Sequence, residues 1–160
     1  MKRLLLLLAG LLAITSFNAF AADDGYPDAM MDKMMGMKAD AEVKKEMPLS
    51  LPGMKIVDTA EAFKMFKEKK AIFLDNRVKP QFDTERIAGA QWYFCDTLID
   101  SPAFAKKLDK EKEYIVYCNG IHCWRSPATA MMLDHLGFKK LYWYRDGLPA
   151  WKKAGHPVEK

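Results

Sequence analysis

From Met54 onward the chain alternates short apolar runs of strand length with segments of helical periodicity, and this alternation constrains the fold more than any other feature. "MKIV" reads as a strand, and Asp58 with Glu61 three residues later starts a helix "TAEAFKMFKEKK" whose Ala62, Phe63 and Phe66 share one face. "AIFLD" is a continuous apolar run, as expected of a strand covered on both faces. After a polar segment containing Pro80 come a third strand, "AQWYF", and a helix "SPAFAKKLDK" with Ser101 to cap it and Pro102 at its first position. "YIVYC" is a fourth strand, followed by a loop and a helix from Pro127 to Leu136 closed by Gly137. "KLYWY" is a fifth strand and "GLPAWKKAG" a last short helix. Strands alternating with helices over short links predict an α/β domain with a mainly parallel five-stranded central sheet flanked by helices. Trp92, Trp143 and Trp151 read as core or sheet-packing residues.

Residues 1–53 differ from this. Lys2 and Arg3 precede an apolar run from Leu4 to Ile14 and then Ala19-Phe20-Ala21, the pattern of a secretory signal peptide over residues 1–21 cut before Ala22. The run is too short for the roughly 20 residues of a membrane span, so a periplasmic or secreted protein without a membrane span is expected after removal of the signal. Residues 22–51 carry charges, Gly and Pro, with five methionines between Met30 and Met37, and read as a flexible extension containing a short helix. Its i,i+4 pairs Met30/Met34 and Met31/Met35 would suit Cu(I), or would pack loosely on a neighbouring surface. Residues 52–160 form one domain by length. The formal charge is +4 and the Lys/Arg residues are interspersed with acids, as in "DKEKE", so a nucleic-acid partner is not expected.

Chemistry concentrates in "YCNGIHCWRS". Cys118 ends a strand where, in a parallel sheet, sites gather. A thiolate needs cations, backbone N–H groups or a helix N-terminus beside it. Here Asn119-Gly120 turns the backbone, Arg125 supplies a permanent charge, and Ser126 with Pro127 starts a helix aimed back at the loop. The loop residues Asn119, Gly120, Ile121, His122, Cys123, Trp124 and Ser126 would surround an anion such as thiosulfate. The chain has three cysteines, an odd number in an oxidising compartment. Cys123 can form a static bridge with Cys118 or resolve a species formed on it. Cys95, ending "AQWYFC", is either a further redox partner at the same edge or a small buried hydrophobe. Cys-x4-Cys with the single His122 lacks the paired spacing of a zinc site, and neither metal nor cofactor is expected.

Four segments in order resemble the rhodanese-like family: "FLDNR" with Asp75 and Arg77, "QFDTERIAGA", the loop from Cys118 to Arg125-Ser126, and "RDGLPAWKKAGHPVE". The resemblance covers roughly Lys55 to Lys160 and implies a single rhodanese-like sulfurtransferase domain. In it Cys118 would accept sulfane sulfur from thiosulfate or a persulfide and pass it to a thiophilic acceptor, which another exported protein could carry. Arg125 and the loop amides would hold the anion, with Asp75 and Arg77 bracing the loop or forming a purely structural ion pair. The sequence departs from the family pattern in three places. Arginine follows the cysteine by seven residues instead of five. Arg86 and Ala88 replace a His and a Pro. Cys123-Trp124 makes the loop similar to that of exported rhodanese-like proteins with a Cys-Trp pair. The longer loop keeps two alternatives in view: a thiol–disulfide redox or partner-binding module using Cys118 and Cys123, and a phosphatase, since phosphatases of this fold also have an enlarged loop.

Overall fold

The computed structural model describes residues 25–160, so the expected signal peptide and its cut before Ala22 lie outside the described residues. The chain runs α1 (Asp28–Glu42), β1 (Lys55–Ile56), α2 (Thr59–Lys67), β2 (Ile72–Asp75), α3 (Lys79–Thr84), β3 (Arg86–Ile87), β4 (Gln91–Trp92), α4 (Cys95–Asp100), a 3-10 helix (Pro102–Lys107), β5 (Tyr114–Tyr117), α5 (Arg125–His135), β6 (Leu141–Tyr144), α6 (Gly147–Lys153) and β7 (Val158–Glu159). Five strands form one sheet in the order β1-β6-β5-β2-β4, with every pair parallel. Among the described residues no helix is long and apolar enough to cross a membrane.

The central strands are apolar throughout because both faces of the sheet are covered. Along β5, Tyr114 and Val116 enter one core, with Leu74, Trp143, Leu98 and Leu133. The alternate residues Ile115 and Tyr117 enter the other, with Phe73, Tyr144, Met65 and Trp151. A period of two that delivers apolar side chains to both sides is the signature of a buried parallel strand.

Local signals explain the element ends. The Asp58 carboxylate accepts the Glu61 N–H at 2.8 Å and starts α2. Gly137, at φ +90°, closes α5, with the Phe138 N–H reaching back to the Leu133 carbonyl at 3.0 Å.

Several expectations are corrected. The segment expected as a flexible extension with a short helix carries the 15-residue α1, and it is not loose: its Met34 and Met37, with Met47 and Leu51 beyond it, are buried in the same core as the sheet. Methionine is doing there what branched residues do elsewhere, which its composition conceals. Met30 and Met31 pack against that core, while Met35 is exposed. The third strand is only Gln91–Trp92; Trp92 lies at the sheet edge, exposed, with its indole N–H on the Arg77 carbonyl at 2.9 Å. Ser101 makes no side-chain cap, and the expected helix after it is a 3-10 helix. The polar segment around Pro80 forms α3, and β3 and β7 pair antiparallel outside the main sheet.

Candidate active site

Cys118 follows directly on β5, the middle strand of the sheet, and is 2% exposed. Its carbonyl accepts the Leu148 N–H at 3.1 Å from the first turn of α6. Gly147, at φ +63°, lets that turn come close enough that a Cβ there would lie 2.4 Å from the Cys118 carbonyl oxygen. Gly120, at φ +100°, makes the turn expected at Asn119-Gly120. The loop is fastened from a second side by the Met47 N–H, which donates to the Ile121 carbonyl at 2.8 Å. Arg145 holds that strap, donating to the Met47 carbonyl at 2.8 Å and to the Glu46 carboxylate at 2.9 Å.

Cys118 and Cys123 are joined in a disulfide, with their Cα atoms 6.1 Å apart. The Cys123 N–H donates to the Gly120 carbonyl at 2.9 Å, a turn that brings its side chain back over the loop. In this state Cys118 carries no thiolate, so nucleophilic chemistry there begins with reduction.

Cys95 lies apart from this pair. It opens α4 instead of ending a strand, is fully buried and is a free thiol. Burial pushes its pKa up to about 12, against the smaller opposing effect of a hydrogen bond with Thr129. Of the two readings of this residue, its burial in the core matches the small buried hydrophobe and not a redox partner exposed at the sheet edge.

Arg125 starts α5 and lies beside the loop, but its guanidinium is occupied: Nε and Nη2 donate to the two carboxylate oxygens of Asp96 at 3.0 and 3.1 Å. It also lies 5.2 Å from the Trp124 ring centre and 5.5 Å from that of Phe94. Arg125 lines a cleft of about 320 Å³. Its lining comprises Asn119, His122, Cys123, Trp124 and Arg125 from the loop and Lys38, Ala41 and Glu42 from α1. Ser126 does not cap α5; it is buried and accepts the Trp143 indole N–H at 3.0 Å. Asn119 donates to Gln81 on α3 at 2.9 Å, tying the loop to a third element. His122 is exposed. Among the described residues no cluster of His, Cys, Asp or Glu could hold a metal ion.

Asp75 and Arg77 form a buried pair at the end of β2. Asp75 is inaccessible and takes Nη2 of Arg77 at 2.6 Å and the Tyr117 hydroxyl at 2.6 Å, while Arg77 also donates to the Glu85 carbonyl. Burial works against the Arg77 charge, but its bonds to the Asp75 carboxylate outweigh that and raise its pKa. Tyr117 immediately precedes Cys118, so the pair braces the strand from which the loop springs. Asp96, Gly147 and the α1 wall were not identified as site residues from sequence. Only Gly147 carried a signal, as the glycine of the "RDGLPAW" segment.

The family model for the rhodanese-like domain matches residues 58–154. The chain belongs to the rhodanese-like domain family. It is 32% identical over 104 residues to the thiosulfate sulfurtransferase GlpE of Coxiella burnetii, an alignment covering 65% of this chain and 92% of that relative. Among solved structures, a rhodanese-related protein of Thermoplasma volcanium is similar with a TM-score of 0.57 and 25% identity, over 66% of this chain and 97% of that one. A protein of Bacillus halodurans shares the fold with a TM-score of 0.60 and 21% identity, over 80% of this chain and 85% of that one. The family match begins at residue 58, so α1 and the strap at Met47 lie outside the matched part of this rhodanese-like chain.

Proposed function

We propose that this rhodanese-like protein is an exported sulfurtransferase that moves sulfane sulfur through a persulfide on Cys118. The reduced Cys118 thiolate attacks the outer sulfur of thiosulfate. A new S–S bond forms to Cys118, the S–S bond of thiosulfate breaks, and sulfite leaves with the bonding electron pair. A thiophilic acceptor, or an exported protein carrying one, then attacks the terminal sulfur and regenerates the thiolate. A persulfide donor would deliver sulfur in the same way. Homology to thiosulfate sulfurtransferases supports sulfur transfer in general. The observation that carries the assignment to Cys118 is its position at the end of the middle strand, where the loop begins and α5 follows with Arg125 in its first turn. Asp75, Arg77 and Tyr117 support that strand end, and the cleft beside Arg125 would receive a small anion at the loop once reduction frees Cys118 from Cys123. Export is supported by the Lys2-Arg3, apolar and Ala19-Phe20-Ala21 pattern and by a disulfide suited to an oxidising compartment.

Sulfur transfer from thiosulfate to cyanide by the reduced protein tests the assignment: activity is expected in wild type and lost in Cys118→Ser, and full activity without Cys118 would remove it. Recovery from the periplasm of a chain starting at Ala22 tests export. The disulfide favours a second reading, thiol–disulfide exchange by Cys118 and Cys123, which would need both cysteines and no sulfur donor.

A further inference from the structure

The two sulfurs of the disulfide are not equivalent. Cys118 is 2% exposed and does not line the cleft, whereas Cys123 is partly exposed and does. A thiol entering the cleft therefore meets Cys123, and attack there expels Cys118 as the thiolate. The backbone on both sides of the pair is anchored independently of the S–S bond: Leu148 N–H to Cys118 O at 3.1 Å, Met47 N–H to Ile121 O at 2.8 Å and Cys123 N–H to Gly120 O at 2.9 Å. These contacts keep the reduced thiols near each other, so reaction between them has the advantage of a positioned intramolecular step over any acceptor from solution.

We infer that Cys123 is the resolving residue of a thiosulfate reductase cycle, in which the Cys118 persulfide is discharged as hydrosulfide and the Cys118–Cys123 disulfide is the product of each turnover. This rests on the sulfur-accepting role of Cys118 proposed above. The Cys123 thiolate attacks Sγ of Cys118, the bond from that atom to the terminal sulfur breaks, and the terminal sulfur leaves as hydrosulfide, carrying the electron pair and the persulfide proton. The disulfide then contains the two cysteine sulfurs, each oxidised by one electron, and the transferred sulfur has been reduced. A small thiol attacks Cys123 from the cleft, giving a mixed disulfide on Cys123 and the Cys118 thiolate. A second thiol releases Cys123. Over the cycle one thiosulfate and two thiols give sulfite, hydrosulfide, one disulfide and a proton, so atoms and charge balance.

The test uses fully reduced, desalted protein mixed with thiosulfate, with sulfite, hydrosulfide and the state of each cysteine followed together. Wild type is expected to release about one hydrosulfide per chain and to return to the Cys118–Cys123 disulfide. Cys123→Ser and Cys123→Ala are expected still to release sulfite, to hold the sulfur on Cys118 and, relative to their own sulfite release, to form hydrosulfide at least about tenfold more slowly. With oxidised wild type and limiting glutathione plus an alkylating agent, glutathione is expected on Cys123 and the alkyl group on Cys118. Sulfite release from wild type with a persisting persulfide and a free Cys123 thiol would overturn this inference while leaving sulfur transfer through Cys118 standing. Absence of sulfite from reduced wild type would overturn both. Use of the two Cys123 variants separates loss of the resolving thiol from any folding defect of one of them.

Discussion

Gly147 and Cys118 touch through their backbones: the α6 glycine sits where any Cβ would collide with the Cys118 carbonyl at 2.4 Å and with the Gly120 nitrogen at 2.6 Å. This close approach lets the Leu148 N–H reach the same carbonyl and fixes the start of the loop. Both contacts are backbone, which cannot rotate away as a side chain can.

Gly147→Ala is therefore expected to cost about 1–3 kcal/mol of stability from the left-handed backbone and the collision together, and to lower sulfur transfer by displacing the loop. Urea denaturation and an activity assay on the same sample check it. A stable variant with unchanged activity would show that α6 does not set the loop.

Asp75 is expected to matter through Arg77. Asp75→Asn leaves a buried guanidinium without its carboxylate and should cost about 3–5 kcal/mol, whereas Asp75→Asn with Arg77→Met should cost less than the sum of the two single changes. Chemical denaturation of the three variants measures this directly, and additive losses would contradict coupling of the pair.

Cys95 gives a pH dependence with a defined sign. Its pKa lies near 12 in the folded chain against 9.0 for the unperturbed thiol, so between those values the unfolded chain loses a proton that the folded chain keeps. Its contribution to stability is complete below pH 9 and is lost as pH rises towards 12, with a slope approaching ~1.4 kcal/mol per pH unit. Buried tyrosines add slopes of the same sign, so the measurement is the difference between wild type and Cys95→Ala across that range. Equal slopes in the two proteins would contradict it. In native protein Cys95 should also resist alkylation until the chain unfolds.

α1 should behave as part of the folded domain. Met34→Ala is expected to cost about 2–5 kcal/mol, and Met35→Ala, on the exposed side, to stay within about 0.5 kcal/mol. Comparable small effects at both positions would mean that α1 is only loosely attached.

These residues also show what the sequence could disclose. The parallel sheet was legible because β2, β5 and β6 are apolar runs of strand length, and the loop because Cys118 ends one of them. Of α1 a short helix was legible but not its packing into the core: Met34 and Met37 are buried, but spaced among charges and without branched neighbours they give little amphipathic signal. Cys95 was misplaced because "AQWYFC" continues strand-forming residues past Trp92, where β4 ends and the chain turns into α4. The Arg125–Asp96 pair spans 29 positions and joins two helices, so only tertiary structure brings it together. The disulfide was one of two open states of the same pair of cysteines, since spacing permits bridging without requiring it.

The most direct test of sulfur acceptance by Cys118 is peptide mass mapping of reduced protein after brief exposure to thiosulfate. Cys123→Ser is used so that the sulfur is retained. One added sulfur on the peptide containing Cys118, absent after treatment with cyanide and absent in Cys118→Ser, is the predicted result. No added sulfur on that peptide, or sulfur added equally when Cys118 is replaced, would contradict it.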